Sequence, residues 1–196
     1  MITVQKPTTK LGIDKMKTGT KSILFGVHQF IWHPITVYLA WLWLNRKFPT
    51  FKETICIIIH DWGYWGKENM DDDEGETHPE FGANLAHMLL DKEDDFYHYE
   101  FCLYHSRHYA KKAGREPSKL CWADKVSIVY DPAWLYLPRA MLSGELKEYR
   151  ENSAFLIDKD ESHFLWYKKL KEYFIILGKE QSGDAVPYMN KGDYNE

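Results

Sequence analysis

The sequence predicts an all-α protein built as a single domain, on three observations. Apolar residues recur at three- and four-residue steps along most of its length. No stretch shows the strict polar–apolar alternation of a half-buried strand, and no Asn-Gly hairpin signal is present. Its 196 residues, 44% hydrophobic and 28% charged, fit one globular core and exclude disordered, collagen-like and coiled-coil chains.

The helices follow in order. Pro34 stands where a first-turn proline belongs, and Ile35, Tyr38, Leu39, Leu42 and Trp43 continue the pattern to Arg46 and Lys47, before Pro49. A second helix is expected from Thr50 to Asp61, central because Ile55–Ile59 is so apolar. Trp62–Thr77, with its glycines and the acidic run Asp71-Asp72-Asp73-Glu74, reads as a long functional loop. A third helix starts at His78-Pro79 and carries Phe81, Leu85, Met88 and Leu89. A fourth is expected over Asp94–Ala113, closed by Gly114, and a fifth opens at Pro117-Ser118 with Leu120, Val126 and Val129. Two more are expected over Pro132–Tyr149 and Glu161–Leu177. The expected organisation is a loose segment 1–21, a helical domain 22–178 and a polar, flexible tail 179–196.

Charge and cysteines narrow the function. A net charge of −4 is opposite in sign to that of a dedicated nucleic-acid binder. Three cysteines without a CxxC pair argue against a disulfide framework and against a thiolate zinc site. Met1–Lys10 is polar and lacks a signal-peptide core, so a cytoplasmic location is expected. Ile23–Leu44 is apolar enough to raise a membrane span, but His28, Gln29, His33 and Pro34 within it favour a buried helix whose polar groups face a site.

The nine histidines carry the functional reading. His33, the adjacent pair His60-Asp61, His78, His105 and Asp124 lie in series on the expected helices. Imidazole and carboxylate are the ligands divalent transition metals take where thiolates are absent. Adjacent helical residues diverge by about 100°, so His60 and Asp61 can share one metal only at a helix end, which the following Gly63 supplies. An aspartate there could also bridge two ions. Ile57-Ile58-Ile59-His60-Asp61 sets two polar groups at the end of a buried segment, where they need partners. Alone the pair reads as a helix cap; in the series it reads as a metal site. His28 reads as a core histidine that could line the site, and His87, His98 and His163 as structural or exposed.

This series resembles the HD-domain metal-dependent phosphohydrolase superfamily, whose signature is H…HD…H…H…D on a helical bundle. His78-Pro79-Glu80-Phe81-Gly82-Ala83 is similar to the family's HPxxGA helix start, and Ala123-Asp124-Lys125 to its closing ADK segment. The resemblance spans Ile31 to Val129; residues 132–196 match nothing in it. It implies an HD-type bundle and one or two divalent ions (Mn, Fe, Co, Ni, Zn or Mg). His33, His60, Asp61 and Asp124 would hold one ion, and Asp61 would bridge to a second on His78 and His105. A water between such ions becomes a nucleophile near neutral pH and would attack phosphorus. Asp61, His108 and Lys125 are the expected catalytic residues. His108, which roughly shares a face with His105, could be a ligand, a proton donor to the leaving group or a surface residue.

The expected substrate is a small phosphorylated molecule of the nucleotide type. Arg107, Lys111, Lys112 and Arg115 concentrate positive charge after the fourth histidine of the series, and Lys67 and Lys125 are further phosphate candidates. The same cations also suit a solvated helix end. Trp62, Tyr64 and Trp65 flank the His-Asp pair and could stack on a base or simply pack. The run His60-Asp61-Trp62-Gly63-Tyr64 departs from the HDxGK of cyclic-dinucleotide phosphodiesterases, no GYP follows, and the Glu-Asp pair of alarmone hydrolases is missing. Asp71–Glu76 could steer a cationic group, hold a further metal or be solvated. Alternatives are a di-iron oxygenase on the same scaffold and a non-catalytic metal- or nucleotide-binding module. No membrane partner is expected, and a homo-oligomer is compatible.

Overall fold

A computed structural model describes residues 15–152 and 161–184. Among them are ten α-helices and no strand. They are α1 (Thr18–Phe25), α2 (Trp32–Asn45), α3 (Phe51–Ile59), α4 (His78–Leu90), α5 (Tyr97–Leu103), α6 (Arg107–Lys112), α7 (Lys119–Val126), α8 (Ala133–Ser143), α9 (Glu145–Asn152) and α10 (His163–Ser182). The readings of Met1–Lys10 and of the tail beyond Asp184 fall outside the described residues.

Two cores organise the helices. Val37, Ala40 and Trp41 of α2 meet Cys56, Ile57 and Ile59 of α3, Ala83 and Ala86 of α4, Phe101 and Cys102 of α5, and Leu120 and Val126 of α7. The small residues on α4 let the backbones approach closely. A second core joins Tyr136 and Ala140 of α8, Leu146 of α9, and Trp166, Tyr167 and Leu170 of α10. The last turn of α10 packs on α2, where Gly178 leaves room for the Trp43 ring: a Cβ there would come within 2.5 Å of it. Arg46 ends α2 in the left-handed region, φ 52°, and its guanidinium pairs with Asp184 at 2.6 Å.

Local chemistry explains the boundaries. A capping box starts α3: Thr50 Oγ1 accepts from the Glu53 amide at 3.2 Å, and Glu53 Oε2 accepts from the Thr50 amide at 2.7 Å. Pro79 sits in the first turn of α4, where no amide is needed.

Four boundaries differ from expectation. The chain is helical from Thr18, and its first turn is tied to the segment after Trp62–Tyr64 by the Gly19 amide, which donates to Lys67 O at 3.0 Å. The expected fourth helix is two, α5 and α6. Its interruption is His105, whose Nδ1 bonds the Cys102 carbonyl at 2.5 Å while the Ser106 amide turns to Leu103 O. The expected helix over Pro132–Tyr149 breaks at Gly144, φ 95°, a conformation glycine adopts without a Cβ clash. α10 continues through Gly178, past the expected end at Leu177, to Ser182. The apolar run Ile23–Leu44 is likewise interrupted between α1 and α2, and no helix of the described residues is long and apolar enough to cross a membrane.

Gly63 bears most directly on the site. A Cβ on it would lie 1.9 Å from His78 O, so backbone meets backbone there. Gly63→Ala should therefore push α4 away and cost about 1–3 kcal/mol by overpacking, lowering Tm by roughly 2–4 °C per kcal/mol in a chain of this size. Thermal unfolding of the variant checks this; an unchanged Tm would contradict the contact.

Candidate metal centre

Six side chains from separate elements converge at one end of the first core. His33 lies in the first turn of α2, and His60 closes α3. Asp61 then leaves helical geometry at φ −97°, ψ 0° and opens the Trp62–Tyr64 turn. That helix end lets two adjacent residues face the same space, as the Gly63 signal suggested. His78 begins α4, His105 sits in the α5–α6 junction, and Asp124 projects from α7.

The two oxygens of Asp61 face different histidines. Oδ2 lies 3.0 Å from His33 Nε2 and 3.2 Å from His60 Nε2. Oδ1 lies 3.5 Å from His78 Nε2 and 3.4 Å from His105 Nε2. Asp124 Oδ1 completes the first side, 3.1 Å from His33 and 3.7 Å from His60. His33, His60, Asp61 and Asp124 form one group that could hold a metal ion, and Asp61, His78 and His105 another.

The donor set fits cations. Nδ1 of His60, His78 and His105 each meets a backbone carbonyl, of Ile57, Gly75 and Cys102, at 2.8, 2.8 and 2.5 Å. Each Nδ1 must therefore carry the ring hydrogen, and in the neutral ring Nε2 is left as a bare lone pair, as in metal-ligating histidines. The Nε2 atoms of His78 and His105 stand 3.0 Å apart, two lone pairs that a shared proton or a metal ion would reconcile. His33 Nε2, His60 Nε2 and Asp61 Oδ2 are buried and, despite their close approach, make no hydrogen bond of good geometry. Buried polar atoms are rarely left so.

The electrostatics agree. Burial alone would lower the His33 and His60 pKa, but Asp124 and Asp61 overcome it and lift them to about 9 and about 10. Burial would raise both aspartates, yet the surrounding histidines hold Asp61 and Asp124 well below the usual carboxylate range. His78, buried and beside His105, is pushed down to about 3.

A cavity of about 990 Å³ opens over these ligands. Arg107, His108 and Lys111 of α6, Arg115, and Lys125 beside Asp124 line it. Arg107 and Lys111 are one helical turn apart and share a face. Lys112 does not line the cavity, nor does Lys67, whose Nζ donates to Thr77 Oγ1 at 2.5 Å and ties the loop to α4. His108 is half exposed, its Nδ1 3.4 Å from Glu76 Oε2. In the acidic loop, Asp71 and Glu76 reach the cavity while Glu74 Oε2 caps the Glu68 amide at 2.9 Å. Tyr64 stacks on the His78 ring, 3.9 Å between centroids, so it supports a ligand; Trp62 and Trp65 lie outside the cavity.

Sequence reasoning missed one part of the cavity wall. Tyr136, Tyr149, Trp166, Leu170 and Phe174, from α8, α9 and α10, line it. In sequence they are ordinary helical core positions; only the meeting of the two cores makes them a wall. Compared with protein family descriptions, curated proteins and solved structures, the chain finds no match.

The raised histidines set a pH dependence. His33 and His60 bind protons more tightly in the folded than in the unfolded state. Their contribution is complete below the ordinary histidine value of about 6.5 and is lost as pH rises through 9 and 10. Asp61, Asp124 and His78 act oppositely, losing stability in acid. Metal-free protein should therefore show Tm falling between about pH 6.5 and 10. Loading an ion at about pH 7.5 should release about two protons, read from the buffer dependence of the calorimetric heat. A flat Tm and proton-neutral binding would contradict the assignment.

Proposed function

We propose that the chain is a metal-dependent phosphohydrolase acting on a small phosphorylated molecule of the nucleotide type. The observation that carries this reading is Asp61, one carboxylate shared by two histidine groups, on the floor of a cavity whose rim bears Arg107, Lys111 and Lys125. Bound there, divalent ions supply Lewis acidity toward a phosphoryl oxygen and lower the pKa of a water. The residues present account for the rest. His33, His60, Asp61 and Asp124 would hold one ion, and Asp61, His78 and His105 a second. Arg107 offers a guanidinium fork to phosphate oxygens, while Lys111 and Lys125 add point charge. His108, within reach of the rim, would bring a proton to the leaving group.

The volume favours more than inorganic phosphate. A cavity of about 990 Å³ stands at the upper end of ordinary small-molecule sites and would be mostly empty around a lone anion. Tyr149 and Phe174, the partly exposed aromatics that line the cavity from α9 and α10, suit the planar body of a nucleotide.

Phosphate release from a nucleotide panel, measured with metal content on the same preparations, tests the reading. Turnover should stop with a chelator and return with Mn²⁺ or Co²⁺; chelator-resistant turnover overturns it. Iron-dependent oxygen consumption without phosphate release would assign an oxygenase instead. Asp61→Ala should lose most bound metal. Arg107→Ala should keep its metal and lower kcat/KM by about 1–2 kcal/mol, below a buried charge-assisted bond because Arg107 is exposed. His105→Ala should instead lower metal occupancy and kcat together.

A further inference from the structure

Glu145, the first residue of α9, is fully buried in a stretch where the sequence shows no functional motif. Its Oε1 accepts from Ser22 Oγ at 2.6 Å and from the Tyr149 hydroxyl at 3.2 Å. Its Oε2 accepts from the Val27 amide at 2.8 Å and from Ser143 Oγ at 2.5 Å. His28 Nδ1 stands 3.0 Å from both Glu145 Oε1 and Ser22 Oγ. The Ser22 hydroxyl hydrogen is already committed to Glu145, so Nδ1 must carry the ring hydrogen.

That arrangement determines what the other nitrogen can do. In the neutral ring Nε2 is bare. It stands 4.0 Å from Asp61 Oδ2, on the His33 side of the shared carboxylate, and His28 lines the cavity. The ring is held from two further directions, edge-on to His33 at 5.0 Å and tilted against Tyr64 at 4.8 Å. A carboxylate that fixes the hydrogen and orientation of an imidazole beside a metal group is the arrangement by which outer residues tune an ion.

We propose that Glu145 and His28 are a positioning pair for the metal centre. Glu145 holds the ring, and His28 Nε2 orients a water or substrate oxygen beside the ion of the His33, His60, Asp61 and Asp124 group. Like the functional reading, it rests on those residues forming a metal centre. It couples α9, outside the ligand series, to the chemistry.

Co²⁺ titration of the full-length protein, followed by visible absorption, tests it with the metal alone. Wild type, His28→Ala, Glu145→Gln and the ligand variant Asp124→Ala are compared, with Tm and circular dichroism of each. His28→Ala and Glu145→Gln should weaken Co²⁺ binding about 10- to 100-fold and change the absorption bands, with the fold retained. Asp124→Ala should lose more. Should Glu145→Gln fail to fold, His28→Ala decides alone. Folded variants that titrate like wild type in affinity and spectrum overturn the pairing and leave the metal centre standing. A wild type that takes up no Co²⁺ overturns both.

Discussion

The shared carboxylate of Asp61 is the constraint around which the described chain is arranged. Its two oxygens must meet four imidazoles drawn from α2, α3, the start of α4 and the α5–α6 junction. Each approach brings a polar group into a region nearly closed to water, and such groups are costly unless matched. The five-helix core supplies the matching. Carbonyls at the ends of α3 and α5 and in the turn before α4 take the Nδ1 hydrogens, and the carboxylates balance the charge of His33 and His60. Helix ends collect at the site because only there do backbone carbonyls come free of the helical ladder.

The second core gives the site its depth. Aromatic side chains of α8, α9 and α10 line the same cavity as the basic residues of α6 and α7. The cysteines add a quieter influence. Cys56, Cys102 and Cys121 are buried; a contact with Cys56 holds the Cys102 thiol far above its ordinary value, and burial lifts Cys121 to about 11. None of the three belongs to either group that could hold a metal, so the donors there are nitrogen and oxygen alone, a borderline-to-hard set.

Much of this was legible in the amino-acid order, and the rest was hidden for identifiable reasons. The convergence of these histidines and aspartates could be read because His60-Asp61 interrupts an isoleucine run and Gly63 marks the helix end. The break between α5 and α6 could not. Helical spacing continues through it, and the cause is a side chain, His105, taking a carbonyl that the ladder would use. Gly144 is a helix-ending signal that the surrounding apolar spacing masked. Glu145 sits just after it as an ordinary first-turn acid; its burial depends on Ser22, Val27 and Ser143 converging from elsewhere. Arg107, Lys111 and Arg115 of the basic stretch line the cavity and Lys112 does not, a difference of helical face that sequence spacing alone does not assign.

The glycine contacts around the candidate centre bear on how near its two histidine groups can come. A Cβ on Gly63 would strike the His78 carbonyl at 1.9 Å, and one on Gly82 would strike the His60 carbonyl at 2.6 Å. The elements that carry His60 and His78 are thus in van der Waals contact through main chain, with no flexible side chain between them to yield. Main-chain contacts compress little. The two histidine groups therefore cannot be drawn closer together than main chain allows, which sets a lower limit on the separation of any ions they would hold.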